Sequence, residues 1–349
     1  MTLCPARLEP VFSPRPWGCR SLAPYFPEMS NLSEPTGEAW MTGSDCRFAN
    51  GPFAGCKLGE IWREISSDWA GTTQGRGDFP LLVKFIFPQE KLSVQVHPDD
   101  AYASRHEQAA GGRGKTEMWY AVEAQPGAEV LVGMKPDVTR EEFTRAIQDG
   151  TAENCLVHVP LGRGDAVFVP AGTAHTIGPG LVLCEIQEFS DLTYRVYDYN
   201  RRDRKGQSRP LHIEKALDVL RFGKQYGGKI TPVGIARGTL RETHYAVCRY
   251  FATERWEFAQ SIEMSVSIER FELLIFCEGH GNICWGSERA AYQLAQVWLI
   301  PAALGRFQLS PEAPTSLLHT YVPGDLEGLK RCLVERGMNE TQWLSLVHR

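Results

Sequence analysis

The apolar positions along the chain recur in short runs. LLVKFIF (81–87), KLSVQVH (91–97), EMWYAVEA (117–124), EVLVGM (129–134), DAVFVP (165–170), LVLCEIQEF (181–189) and TYRVYDY (193–199) are each of strand length, rich in β-branched or aromatic residues and bounded by Gly, Pro, Asn or Asp. Helical periodicity is rarer. TREEFTRAIQDG (139–150) opens on Thr139 with Glu142 three residues on, the pattern of a capping box, and spaces Phe143 and Ile147 four apart on one face. HIEKALDVLRFG (212–223), ending at a glycine, and DLEGLKRCLVERG (325–337) are the other helical candidates. The prediction is a mainly β protein with a few peripheral helices.

The layout occurs twice. Matching Val169-Pro170-Ala171 with Ile300-Pro301-Ala302 lays residues 162–189 on 294–322, and residues 117–127 lie on 272–282, so Glu117 falls on Glu272 and His175 on Arg306. Short paired strands with glycine turns and a Pro-Ala corner are what a jelly-roll barrel requires, and the repeat predicts two of them in tandem. A length of 349 residues suits that duplication. The expected organisation is a first barrel over 1–211, a helical and Gly-rich connector over 212–240, and a second barrel with the C-terminal helix over 241–349. The second repeat keeps Glu272 but has no equivalent of His175, so it is expected to be metal-free and structural.

Composition narrows the function classes. A formal charge of −5, with no block of five basic residues, argues against a nucleic-acid backbone as the main partner. The densest basic cluster is Arg201, Arg202, Arg204 and Lys205. There is no apolar run long enough to span a bilayer and no basic-then-apolar leader, so the expected location is the cytoplasm, away from membranes. Ten cysteines without a CxxC pair speak against a zinc cage and a secreted disulfide framework, and several lie inside apolar runs as expected for buried thiols.

The chemistry concentrates in SVQVHPDD (93–100), GKTEMWY (114–120) and PAGTAH (170–175). On a strand, Ser93, Gln95 and His97 share a face, which therefore presents a hydroxyl, an amide and an imidazole where a core would be apolar. Burying them is costly without a partner, and a ligand or a metal removes the cost. Glu117 opens the next strand and His175 follows the Pro-Ala-Gly turn. A barrel mouth can therefore unite His97, Glu117 and His175, with Gln95 as a possible fourth donor, in a site suited to Zn²⁺ and tolerant of other divalent metals. One buried histidine is usually a core residue; several polar residues converging from separate strands are not. His106, His158, His212, His244, His280, His319 and His348 lack such company and are read as structural or surface residues. Asp99 and Asp100 after Pro98 suit a turn and helix cap, and residues 109–115 suit a flexible rim.

LSVQVHPDDAYA, GKTEMWY, VPAGTAHTIGPGLVLCEIQEFSDLTYRVYDYNR and the N-terminal PWG and GEAW together resemble the type I mannose-6-phosphate isomerases, metal-dependent cupins, in their short bacterial form. The resemblance implies metal ligands at Gln95, His97, Glu117 and His175, a catalytic arginine at Arg195, pocket residues Ser93 and Lys115, and a basic phosphate contact at Arg201. It implies one Zn²⁺ per chain and interconversion of mannose 6-phosphate and fructose 6-phosphate through a cis-enediol, with Lys115 assisting Arg195. Lys115, a metal-bound hydroxide and Asp99 are each candidates for the proton-transferring base. The partner expected is a small sugar phosphate, and the chain is expected to be a monomer or weak homodimer. Two other readings share the site: a non-catalytic sugar-phosphate-binding cupin, and a non-haem iron cupin oxygenase. The presence of Lys115 and Arg195 disfavours the first, and the phosphate-binding set disfavours the second.

Overall fold

The computed structural model describes residues 2–73, 77–202 and 206–348. The chain falls into two compact units, one built from Phe12–Ala39 and Leu82–Ile230, the other from Met1–Val11, Trp40–Leu81 and Thr231–Arg349. Both are mainly β.

In the first unit, the described residues form a seven-stranded sheet, with Glu117–Ala124 between Ala166–Val169 and Leu181–Glu188, and a five-stranded sheet, with Val94–Val96 between Tyr194–Tyr197 and His175–Ile177. The alternation of the strands decides which side chains meet. From Glu129–Met134, Val130 and Val132 join Trp119, Val167, Val169 and Ile177 in a core shared by the two sheets. Leu131 and Met134 turn the other way, onto a second core with Val94, Val96, Phe143, Ile147 and Leu217. The peripheral helices Arg140–Gln148 and Ile213–Val219 thus cover the outer face of the five-stranded sheet. The capping box predicted at Thr139 is present, with the Glu142 N–H donating to Thr139 Oγ1 at 3.2 Å and the Thr139 N–H to Glu142 Oε2 at 2.8 Å.

In the second unit, the described residues form an eight-stranded and a four-stranded sheet. Leu274, Phe276, Trp298 and Leu317 of the larger sheet pack with Ile283, Phe307 and Leu309 of the smaller. The repeat seen in the sequence has a counterpart in the register: Glu117 lies opposite Val169, and Glu272 lies opposite Ile300. The helix Leu326–Glu335 falls where the sequence placed it. A further helix, Glu340–Leu346, was not foreseen; Asn339 and Gln342 cap it, and Trp343 and Leu346 are buried.

The partition differs from a linear division at 1–211, 212–240 and 241–349. Ala6–Glu9 pairs antiparallel with Val297–Ile300, with Ala6 opposite Leu299, and Arg47–Phe48 extends the same sheet. Residues 212–240 divide as well: Gly228–Lys229 pairs with Ala166–Val169, and Val233–Arg237 with Leu240–Val247. Strand partners far apart in the chain leave no mark on local periodicity, so these exchanges are invisible in the pattern of apolar positions. No helix among the described residues is long and apolar enough to cross a membrane.

Candidate metal centre

The short strand Val94–Val96 turns its two valines onto the helix-covered core. The flanking and intervening residues Ser93, Gln95 and His97 therefore take the opposite face, as period-two geometry requires. Glu117 opens the strand Glu117–Ala124, and His175 opens His175–Ile177 immediately after the turn that begins at Pro170. Among the described residues, His97, Glu117 and His175 are a group whose ligand atoms all lie within 4.8 Å of one another. Relative exposure is 1% for His97 and 0% for Glu117 and His175, so water does not solvate them.

Two backbone carbonyls set the imidazoles. His97 Nδ1 lies 2.8 Å from the Leu192 oxygen and His175 Nδ1 lies 2.9 Å from the Thr173 oxygen. A carbonyl only accepts, so each Nδ1 carries the proton and each Nε2 presents a lone pair. Both lone pairs face Glu117: His97 Nε2 is 3.7 Å from Oε2, and His175 Nε2 is 3.4 Å from Oε1. Glu117 Oε1 and His175 Nε2 are sealed from water without a hydrogen-bond partner. Acceptors facing acceptors in a dry site need a cation between them. One cation already leans on the set, since Lys115 Nζ is 2.5 Å from Glu117 Oε2 and 3.1 Å from His97 Nε2. The residues present therefore fit a divalent metal.

The imidazoles agree with that reading. Burial, reinforced by the Lys115 ammonium, holds both imidazoles far below their ordinary range, His175 down to about 3, so they stay neutral. Burial also pushes the Glu117 carboxyl up against the opposing pull of Lys115. Glu185 goes the other way: burial would raise it, but Lys115 and Lys84 outweigh burial and hold it below the usual carboxylate range.

Beside this group lies a cavity of about 400 Å³, lined by Ser93, Gln95, Lys115 and Arg195 together with Lys84, Glu185, Arg15 and Arg209. Gln95 sits directly across from His175 on one side and Arg195 on the other, so it joins the histidines to the cavity. Arg195 is held in place, donating from Nε to Ser93 Oγ at 3.2 Å and from Nη1 to the Pro210 oxygen at 3.1 Å.

Arg201 stands apart from the residues with which the sequence grouped it. Its guanidinium donates to Asp198 Oδ1 at 2.6 Å and to the Lys91 oxygen at 2.6 Å, and it does not line the cavity. Arg209 lines it instead, gripping Asp198 Oδ2 at 2.7 Å. The chain turns after Tyr194–Tyr197 through Tyr199 and Asn200, both with positive φ, and no strand periodicity carries across that turn. Arg204 and Lys205 of the basic cluster lie outside the described residues. Asp99 is a helix cap, accepting from the Tyr102 N–H at 2.8 Å, and Asp100 accepts from the Gly114 N–H at 2.9 Å; neither lines the cavity.

The sequence reading passed over Lys84, Glu185 and Arg209. Lys84 is buried in the otherwise apolar LLVKFI strand, 3.5 Å from Glu185 Oε2 and 3.3 Å from Asp191 Oδ1. Glu185 accepts from Trp119 Nε1 at 3.1 Å and lies 3.7 Å from Lys115. The signal was there: a lysine and a glutamate inside runs long enough to be buried on both faces.

Comparison with known proteins agrees in sequence and in fold. Residues 6–129 match the family described as phosphomannose isomerase type I, catalytic domain. The mannose-6-phosphate isomerase ManA of Bacillus subtilis (strain 168) is 34% identical over 323 residues, covering 91% of this chain and 100% of that protein. The mannose-6-phosphate isomerase of Streptococcus mutans is 34% identical over 292 residues, covering 82% of this chain and 90% of that protein. A crystal structure of the mannose 6-phosphate isomerase from Bacillus subtilis superposes with a TM-score of 0.83 at 31% identity, over 90% of this chain and 99% of the other. With identity at that level over nearly the full length of each chain, and a buried donor triad in place, this protein belongs to the type I phosphomannose isomerase family.

Proposed function

We infer that the protein is a metal-dependent aldose–ketose isomerase that interconverts mannose 6-phosphate and fructose 6-phosphate. The observation that carries this reading is the dry group of His97, Glu117 and His175, whose facing acceptors require a cation, set beside a cavity lined with basic residues. Two imidazoles and a carboxylate, completed by the Gln95 amide oxygen, favour zinc, one per chain. A bound divalent cation supplies Lewis acidity toward the sugar oxygens.

The chain's own residues supply the rest. Moving a proton between C2 and C1 through a cis-enediol places negative charge on O1 and O2, and preorganised cations stabilise that charge. Arg195, fixed by Ser93 and the Pro210 carbonyl, is the residue for this role, and Lys115 assists from the metal side. The phosphate is read by the Ser93 hydroxyl and by Arg209, whose Nε and Nη2 are fixed on Asp198 and whose charge faces the cavity. Lys115 is the candidate to carry the proton, since it adjoins both the donor set and the cavity.

The same reading makes each unit a cupin-type barrel, with the matched registers of Glu117 and Glu272 as support. It places the enzyme in the cytoplasm as a monomer or weak homodimer. Incubating the purified protein with mannose 6-phosphate in deuterated water tests the chemistry. Formation of fructose 6-phosphate with solvent deuterium at the transferred position is expected; binding of the sugar phosphate without conversion contradicts the reading.

A further inference from the structure

The second unit encloses its own cavity, of about 630 Å³. It uses two of the strand positions that carry the donor triad in the first unit. Glu272 opens its strand opposite Ile300 as Glu117 does opposite Val169, and Arg306 opens the strand after the Pro-Ala turn as His175 does. Both Glu272 and Arg306 line this cavity.

Its chemistry is inverted. His319 places Nδ1 3.0 Å from Glu254 Oε1, as a hydrogen bond, and Nε2 3.0 Å from Glu272 Oε2, at ion-pair distance, so a carboxylate faces each ring nitrogen and the ring is held as the imidazolium, with no lone pair for a metal. His244 Nδ1 holds the second Glu254 oxygen at 2.8 Å. Burial would depress both imidazoles, but the facing carboxylates push each up to about 9. The floor is a neutralised ion cluster in which Glu254 and Glu272 are already matched.

The walls carry the surplus. Arg237, Arg270, Arg306, Arg331 and Arg336 all line the cavity. Arg237 and Arg336 share Glu242, and Arg331 faces Asp325 at 3.7 Å. Arg270 and Arg306 have no carboxylate within ion-pair distance among the described residues. Arg270 lies 3.8 Å from the centre of the Tyr321 ring, and its buried Nε has no acceptor. The other carboxylates of the lining, Glu263 and Glu269, are exposed to solvent.

We propose that this cavity binds a small phosphorylated ligand, with Arg270 and Arg306 on the phosphate and the sugar-sized remainder against the Glu272 edge of the floor. Two unpaired guanidinium forks suit a dianion with three acceptor oxygens better than a single carboxylate. The volume falls within the range of small-molecule pockets.

Crystals of the full chain soaked in tungstate, a heavy stand-in for phosphate, locate the anion directly. A peak in contact with Arg270 or Arg306 is expected. Calorimetric titration with glucose 6-phosphate is expected to resolve a site that Arg306→Gln weakens by at least ~10-fold, as loss of a charge-assisted fork should. Arg306 is exposed, so the substitution leaves the core intact, and Arg270→Lys, which keeps the charge over Tyr321 but loses the fork, weakens the same site. Gluconate, a polyol carrying a carboxylate, is expected to bind more weakly than glucose 6-phosphate. Tungstate found only outside this cavity, an Arg306→Gln isotherm superimposable on the wild type, or gluconate binding as tightly as the phosphate overturns the proposal. The tungstate position and the Arg306→Gln and Arg270→Lys differences are read at residues of the second unit, so their failure is distinguishable from failure of the isomerase reading.

Discussion

Leu192 and Thr173 contribute only carbonyl oxygens, yet they decide what His97 and His175 can do. By holding the proton on Nδ1 they aim two lone pairs at Glu117. Glu117→Gln therefore removes the anionic member of the donor set. Bound zinc, measured by atomic absorption, should fall to near zero relative to the unaltered protein, and turnover should drop by more than ~100-fold, beyond the loss typical of a residue that only supports a ligand. Arg195→Lys keeps the charge but cannot reach both Ser93 and the Pro210 oxygen. Its kcat should fall by roughly 100-fold with the zinc content unchanged. Glu185→Gln leaves the buried Lys84 and Lys115 short of counter-charge. Denaturant titration should show a loss of about 3 kcal/mol, the lower end for breaking a buried ion pair, since Asp191 still faces Lys84. A change below ~1 kcal/mol would mean that the Lys84–Glu185–Lys115 chain holds nothing together.

At the scale of elements, the helix Arg140–Gln148 shows how local rules and burial combine. Thr139→Ala deletes one half of the capping box and should cost about 1 kcal/mol, whereas Phe143→Ala empties a fully buried site and should cost roughly 3–5 kcal/mol, both readable as shifts in the denaturation midpoint. The PWG and GEAW elements lock together by close approach. A Cβ on Gly18 would lie 2.3 Å from the Thr36 carbonyl carbon, and one on Gly37 would lie 2.4 Å from the Trp17 ring. These elements were legible because their rules are local: the cap, the period-two alternation around Gln95 and the strand-length runs are all written in neighbouring residues. The candidate site was legible for the same reason at His97, Glu117 and His175, which sit at strand ends marked by HPDD, GKTE and PAG. Arg209 was not, because an irregular turn separates it from the last periodic strand. Lys84 and Glu185 were missed because a buried charge within an apolar strand gains its meaning from a partner on another strand. The pairing of Ala6–Glu9 with Val297–Ile300 belongs to the same class of fact.

For the whole molecule, the two units hold their buried charges in opposite ways. In the first, neutral imidazoles wait beside a carboxylate; in the second, His244 and His319 are charged and paired. Their folded-state pKa values, each about 9, lie above the ordinary imidazole value of 6.5. The stabilisation from these pairs is therefore complete below pH 6.5 and is lost as pH rises through about 9. Thermal unfolding followed by circular dichroism should show a midpoint that declines from neutral pH toward pH ~10, and a flat profile over that span would contradict the ion cluster. The enzymatic account turns on the first unit. Its most direct test strips the protein of metal with a chelator and returns zinc in measured steps, following the conversion of mannose 6-phosphate to fructose 6-phosphate in a coupled assay. The account predicts no turnover in the stripped protein and activity that climbs linearly to a plateau at one zinc per chain. Full turnover in protein shown to be free of metal would contradict it.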